Sequence, residues 1–565
     1  MFHFFGIFVQ SEGDPSASAL PERLRTGATE AAGLANAVQV NIDGGTIWFD
    51  RRLVRQFVSS TGTFVHSGPL LRDGRISRAA DSNGLDALAN DLGQCRGNFC
   101  GVHFRPGVRS VAIFSDFLGT RPVYVWRCGP VVAFSTCLSV LTRLNIGRLT
   151  LNTDALLEQC TFGFPLGSRT PFNEISVIGA AEILTIDDTG VLTRNYWDWW
   201  RREVPEEPDV EALAEQAHKA FLDAVDVRLR ESGSLTSLLS GGLDSRLIVA
   251  SLVQLGHRPN TVSFGSPGTL DEILAQRVSG RFGLAHNFVP LDVASFESAG
   301  GAQVIFGQVV EQNIPDAGAE LPYLWGGDGG SVGLGAVYLT EAIRAAAARH
   351  DWKEAAVEFA EHNSLAGPSR QLFLEPPGIA GFACRALEQS FREFEISRSD
   401  QIPYRFLLLN DQRRHGHGFY ELGGTVPCDS LTPFWDPEFL KIILKCPTSK
   451  LLRHHFYGRV FAKAPAAARD VPWQAYPGHE PCPLPMPGEY SYQWSAPNQR
   501  GDNKFARRKA AAVLGGIVMA RTPRRVIRRR IAILGAVLTL AGFGEYRHII
   551  RQALVVLDAQ RLANQ

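Results

Sequence analysis

The hexapeptide Ser240-Gly241-Gly242-Leu243-Asp244-Ser245 constrains this chain more than any other segment. An apolar run, Leu235 to Leu239, leads into it, and an amphipathic run, Leu247 to Val253, leads out. Strand, glycine turn and helix in that order begin a parallel α/β unit. The two glycines let the backbone bend until successive N–H groups point into one concavity, and the helix N-terminus adds partial positive charge there. Ser240 and Ser245 can donate hydroxyls to an anion in this cradle, and Asp244 can hold a divalent cation against it. No G-x-x-x-x-G-K-S/T occurs, so the cradle is not a Walker phosphate loop.

The rest of the chain divides by texture. Residues 1 to about 200 carry short apolar runs separated by Gly, Asp and Asn turns, among them Val38–Ile42, Val111–Phe114, Val123–Trp126 and Val131–Phe134. These predict β-structure. The apolar start, Met1 to Phe8, predicts a first strand and not a signal peptide, because it has no basic n-region and no small-residue cleavage site. Ser16 to Ala37 predicts a loop or an irregular helix. Pro205 to Pro208 reads as a linker, and Asp209 as the N-cap of a helix running to about Arg230. Thr261–Phe264 and His286–Leu291 then predict strands and Asp271–Phe282 a helix, the alternation of a parallel sheet. After about residue 340 helix dominates. At 565 residues more than one core is expected, with boundaries at 1–200, 209–525 and a helical tail 526–565.

Composition narrows the partners. With 57 basic and 57 acidic residues the chain has no global field to recruit nucleic acid or anionic membrane. Nine cysteines without C-x-x-C pairs or zinc spacing suit a reducing, cytoplasmic setting, and Cys95 and Cys100 read as small buried sheet residues. The apolar stretch Ile531–Gly544 follows Arg524, Arg525, Arg528, Arg529 and Arg530. It is shorter than the roughly 20 residues of a membrane span. It therefore predicts a buried or interfacial helix.

Several motifs together resemble the asparagine synthetase family. Leu238 to Ser245 resembles its PP-loop, the loop of ATP pyrophosphatases, and Ser263-Phe264-Gly265, Asp271-Glu272, Ala275, Gly283 and His286 follow as in that family. Gly327-Asp328-Gly329-Gly330 resembles its second Gly/acid loop, and Pro433-Phe434-Trp435-Asp436 its P-F-L-D-like element. In the first half, Ser115 to Tyr124 (SDFLGTRPVY), Ala133 to Thr136 and Tyr196-Trp197 also match. The resemblance covers roughly residues 1 to 470. It implies an Ntn-type αββα sandwich of the class II glutamine amidotransferase kind, then a parallel-sheet PP-loop domain with a helical C-terminal part. It also implies ATP and Mg²⁺ as cofactors. Ser240, Gly241, Gly242, Asp244 and Ser245 would bind pyrophosphate and Mg²⁺, with Asp244 the metal ligand, and backbone near Leu238, Ser263, Gly326 and Gly327 would contact the nucleotide. Asp328 would orient or deprotonate the attacking nitrogen; a turn aspartate between glycines is the simpler alternative.

Two departures from the family pattern bear on chemistry. Glutamine-hydrolysing members begin Met-Cys-Gly-Ile, whereas Gly6-Ile7 here follow Met1-Phe2-His3-Phe4-Phe5, and no Cys occurs before Cys95. Neither Ser nor Thr precedes Gly6 as a substitute nucleophile. The family's G-D/E-G-G/S-D-E reads Gly327-Asp328-Gly329-Gly330-Ser331-Val332, so Ser331 stands where a carboxylate is expected and binds Mg²⁺ more weakly. Arg246 offers a compensating charge, and the Arg413-Arg414-His415-Gly416-His417 and Arg453-His454-His455 clusters are candidates for an acceptor cleft.

The expected function is an ATP-dependent amide-forming ligase without its own glutaminase, acting on a peptide or small molecule as lasso-peptide cyclases and β-lactam synthetases do. Its expected partners are a carboxylate substrate and an amine or ammonia, with no nucleic acid and no membrane span; a homodimer or a pathway partner stays open. The alternatives are asparagine synthesis from ammonia and a catalytically silent ATP-binding scaffold.

Overall fold

A computed structural model describes residues 3–10, 37–59, 62–72, 75–76, 85–144, 146–198, 208–230, 235–291, 301–314, 321–365, 367–374, 379–394, 398–421, 426, 428–488, 503–519, 526–543 and 546–564. Met1, Phe2, the Ser16–Asn36 stretch and most of the 205–208 linker lie outside these residues.

The first half consists of two six-stranded antiparallel sheets. One is ordered Ile175–Val177, Tyr124–Cys128, Val131–Ser135, Phe4–Val9, Gly45–Asp50, Ala37–Ile42. The other is ordered Gly190–Asn195, Glu182–Asp187, Ser110–Ser115, Cys100–Phe104, Gly62–Ser67, Arg55–Ser59. Phe4, Phe8, Ile47 and Phe134 of the first sheet meet Val65, Val102, Ile113 and Leu184 of the second in one apolar layer. The outer faces are covered as well. Phe5, Trp48 and Trp126 pack under helix Leu138–Arg143, and Phe64, Phe114 and Ile183 under helix Leu85–Gly93. The layers run helix, sheet, sheet, helix, as expected. The Phe4–Val9 strand is buried along its whole length because both of its faces are covered, which explains why it reads as a continuous apolar run and not an alternation. Cys95 and Cys100 are buried and form no disulfide.

The second half is built on a five-stranded parallel sheet ordered His286–Pro290, Asn260–Gly265, Thr236–Leu238, Tyr323–Trp325, Asp429–Leu431. Chain order is therefore 3-2-1-4-5, a doubly wound sheet. Helices Val210–Leu229 and Asp244–Gln254 cover one face with Phe221, Leu247 and Ile248. Helix Gly301–Asn313 covers the other with Ile305 and Val309 against Val262, Val289 and Leu324. Asp209 caps Val210–Leu229 as its position predicts, accepting from the N–H groups of Glu211 and Ala212. The fifth strand, Asp429–Leu431, was not foreseen: three residues among helices leave no periodic signal.

Buried charge joins the halves. Asp436 of the Pro433–Asp436 element, wholly buried, accepts a two-pronged contact from Arg96 at 2.9 and 2.8 Å and a third from Arg228 at 2.7 Å. Burial alone would raise its pKa; Arg228 and Arg96 overcome that and hold it below the usual carboxylate value. Arg121, also buried, donates to Asp429 at 2.5 Å and lies 4.1 Å from the Tyr420 ring centroid. Within the SDFLGT turn, Asp116 accepts from the N–H groups of Leu118, Gly119 and Thr120, which sets Arg121 in place.

Candidate functional site

In a doubly wound sheet the crevice opens where strand order reverses, beyond the carboxyl ends of the strands. Here that point lies at Thr236–Leu238, between Asn260–Gly265 on one side and Tyr323–Trp325 on the other. Ser240–Ser245 follows the first of these strands and Gly326–Ser331 follows the last, so both loops meet at the reversal. Between them is a cavity of about 700 Å³. Leu238, Ser240, Gly242, Asp244, Ser245, Ser263, Gly326, Gly327 and Asp328 all line it. Gly241 stands just behind, its N–H bound to Asp271 Oδ1 at 2.9 Å.

The loop is pre-shaped from within. Ser245 Oγ accepts from the Ser240 N–H at 2.9 Å and lies 3.0 Å from Ser240 Oγ. Helix Asp244–Gln254 begins after Leu243, which has no side-chain acceptor to cap it. Its first N–H groups therefore face the cavity with the partial positive charge of a helix N-terminus, a fit for phosphate oxygens.

Glycines bring the two loops together. A Cβ on Gly330 would fall 2.5 Å from Asp244 Cγ, and one on Gly327 would fall 2.9 Å from the Ser245 nitrogen. Any side chain at either position separates the loops. At this contact Ser331 donates its N–H to Asp244 Oδ2 at 3.0 Å, and Tyr457 donates its hydroxyl to Oδ1 at 2.8 Å. Burial pushes the Asp244 pKa up to about 6, against the hydrogen bonds from Tyr457 and Ser331 that favour its charged form. Among the described residues no group of three or more His, Cys, Asp or Glu could hold a metal alone. Asp244, Asp271, Asp328 and Glu480 are the carboxylates that line the cavity.

Asp328 is exposed at the cavity mouth, 3.6 Å from His415 Nε2. That is an ion-pair distance, and the Asp328 carboxylate raises the His415 pKa. The far wall is Trp473, Gln474, Tyr476 and Glu480, together with His454. His454 stacks between Tyr457 and Tyr476 and sits with Arg453 in left-handed backbone, φ 64° and 57°. Two adjacent non-glycine residues in that region mark local strain at the cavity edge.

The Arg and His clusters separate. His415 and His454 line the cavity. Arg413 and Arg414 instead turn to the first half, donating to the Gly167 carbonyl at 2.9 and 2.6 Å, and His417 meets the Gly119 carbonyl at 3.2 Å. They stitch the halves and line no acceptor cleft at the Ser240–Ser245 loop. Arg246 is also redirected. Its buried guanidinium donates to the carbonyls of Val471 at 2.5 Å and Pro472 at 2.9 Å, away from Asp244, so it supplies no compensating charge. Tyr457 and the 473–480 wall escaped sequence reasoning, because aromatic residues more than 200 positions from the loop carry no spacing signal. In the first half, Phe5, which precedes Gly6, is wholly buried and stacks on Trp48 at 4.7 Å between ring centroids.

Residues 216–306 match the protein family described as asparagine synthase. The chain is 28% identical over 161 residues to a protein of Methanocaldococcus jannaschii named putative asparagine synthetase (glutamine-hydrolyzing) 2. That match takes in 28% of this chain and 31% of the other, so the chain spans about a third of the curated relative's length. Among solved structures, the allosteric regulatory enzyme of purine biosynthesis aligns at 12% identity and TM-score 0.24 over 51% of this chain and 79% of its own. Glutamine phosphoribosylpyrophosphate amidotransferase of B. subtilis aligns at 10% and 0.23 over 57% and 80%. These two likenesses are too slight to carry an argument. The matched segment contains the whole Ser240–Ser245 loop and the strand and helix that present it, and over this segment the chain is similar to the asparagine synthase family.

Proposed function

We propose that this protein is an ATP-dependent carbon–nitrogen ligase that adenylates a carboxylate, releases pyrophosphate and passes the acyl group to an amine. The observation that carries this is the meeting of Ser240–Ser245 and Gly326–Ser331 around one 700 Å³ cavity, with an uncapped helix N-terminus aimed into it. On this reading the N–H groups that open helix Asp244–Gln254 and the Ser240 and Ser245 hydroxyls hold the pyrophosphate. Asp244 holds Mg²⁺, whose role is to neutralise charge on the departing phosphates. Backbone around Leu238, Ser263, Gly326 and Gly327 borders the remainder of the nucleotide. Asp328, paired with His415 at the mouth, receives a proton from the attacking nitrogen.

The nitrogen on this reading comes from outside the first half. Phe5 buried against Trp48 leaves no nucleophile next to Gly6. A peptide or small-molecule amine therefore fits better than glutamine, as in lasso-peptide cyclases. Asparagine synthesis from free ammonia is the neighbouring possibility.

The test is pyrophosphate and AMP formation from ATP, Mg²⁺ and a panel of carboxylates with amines, ammonia or glutamine. Amine-dependent or ammonia-dependent release is expected, with glutamine inert, and Asp244→Ala should lower the rate at least about 100-fold. A second reading, a silent ATP-binding scaffold, draws on Ser331 in place of a carboxylate beside Asp244. Nucleotide binding with no pyrophosphate from any panel member would establish it instead.

A further inference from the structure

The arginine-rich apolar segment near the C-terminus has no part in the ATP cavity, and its two faces differ. Helix Arg529–Ala541 packs between Asn503–Met519 and Arg547–Ala563, turning Ala532, Ala536 and Thr539 inward. Its other face is open. Ile533, Leu534 and Val537 are 38, 53 and 46% exposed, Phe543 just beyond is 70% exposed, and Val518 on the preceding helix is 82% exposed. Ile533, Leu534, Val537 and Ala541 follow at helical spacing and form one stripe.

Cationic groups stand at both ends of that stripe. Arg528 and Arg530 are exposed at its start, Arg530 one turn ahead of Leu534. At its far end Arg507 Nη2 lies 3.7 Å from where a Cβ on Gly542 would be, which puts it beside Phe543. The whole segment is charged in one sense. Residues 503–565 contain 13 Lys or Arg against only Glu545 and Asp558, so in a chain that is neutral overall residues 1–502 carry the opposite excess. The zero net charge hides this asymmetry along the chain.

We infer that this face docks the protein on an anionic lipid surface, with helix Arg529–Ala541 lying in the headgroup plane. An apolar stripe with basic ends suits that boundary, where side chains enter the acyl region and guanidinium groups meet phosphate. At about 20 Å the helix is too short to cross a bilayer, and no helix among the described residues is long and apolar enough to do so. A nucleic acid would satisfy the arginines but leave Leu534, Val537 and Phe543 in water. A second copy would set two equally basic faces together, which their repulsion opposes.

The experiment is flotation of the full-length protein with vesicles of phosphatidylcholine alone or with about 30% phosphatidylserine. Binding to the anionic vesicles should be at least about tenfold stronger and should be lost near 0.5 M salt. The double variant Leu534→Asp with Val537→Asp should weaken it tenfold or more, as should Arg528→Gln with Arg530→Gln. All four side chains are solvent-facing, so melting by circular dichroism should not change. If the aspartate pair does lower melting, Phe543→Ser, outside the helix, replaces it with the same expectation. Equal binding to neutral vesicles, no binding to either, or full binding by the apolar variants overturns the inference. So does salt-sensitive binding to a DNA duplex without binding to lipid.

Discussion

The Ser331 hydroxyl lies 2.9 and 2.8 Å from the two carboxylate oxygens of Asp244, bridging them. With the Ser331 N–H and the Tyr457 hydroxyl, donors surround a group whose burial works against its charge. These donors keep Asp244 ionised where an unsupported buried carboxyl would take up a proton. Tyr457→Phe removes one of them without changing shape. Mg·ATP binding by calorimetry should weaken about 3- to 10-fold at neutral pH, and the loss should grow as pH falls toward 6, where Asp244 titrates. A pH-independent loss would detach Tyr457 from the charge state of Asp244.

Gly330 tests the closeness of the loops. Its would-be Cβ meets Asp244 Cγ at 2.5 Å, so Gly330→Ala must displace either the acidic loop or the Ser240–Ser245 loop. Pyrophosphate release should fall at least about 100-fold, since a shift near 1 Å at reacting groups costs that much. Melting should move little, because the fault is confined to two loop ends.

How much of this was legible in the sequence depends on the range of the interaction. The Ser240–Ser245 cradle and the Asp209 cap were readable because turn and cap chemistry is local. The Asp271–Phe282 helix was placed within one residue by its periodicity, the observed element being Leu270–Phe282. Arg246 and Arg413 were misjudged for the opposite reason. A charged residue beside a motif looks functional in sequence, but each guanidinium is turned by packing toward carbonyls far along the chain. Asp429–Leu431 escaped because a short strand in a parallel sheet is specified by neighbours about 100 residues earlier.

Asp436 offers a stability test. Asp436→Asn leaves the guanidinium groups of Arg96 and Arg228 buried without their charge partner. Removing one side of such a contact costs about 3–5 kcal/mol, measurable as a lower urea midpoint. The wild-type contribution has a definite sign. Because the folded Asp436 pKa is depressed, its stabilisation is complete above the unfolded carboxylate pKa and is lost as pH falls through the folded value. The gap between wild type and variant should therefore narrow in acid.

Glu421 should behave in the opposite sense. Burial beside Tyr124 raises it to about 7, with the Tyr124 hydrogen bond only partly offsetting this. Its contribution is full below the unfolded pKa and is lost as pH rises through 7. Glu421→Gln, which mimics the neutral form, should gain up to about 3 kcal/mol on wild type between pH 5 and pH 8. Denaturation series at the two pH values would check it; a constant difference would show that Glu421 does not titrate in this range.

The Arg121–Asp429 contact bears on how the chain can be divided. Asp429 begins the outermost strand of the parallel sheet, and its partner belongs to the antiparallel half. That half acts as a splint for the other. A fragment starting near residue 209 would leave Asp429 without Arg121 and Asp436 with Arg228 but without Arg96. Buried ion pairs thus tie the stability of each half to the presence of the other.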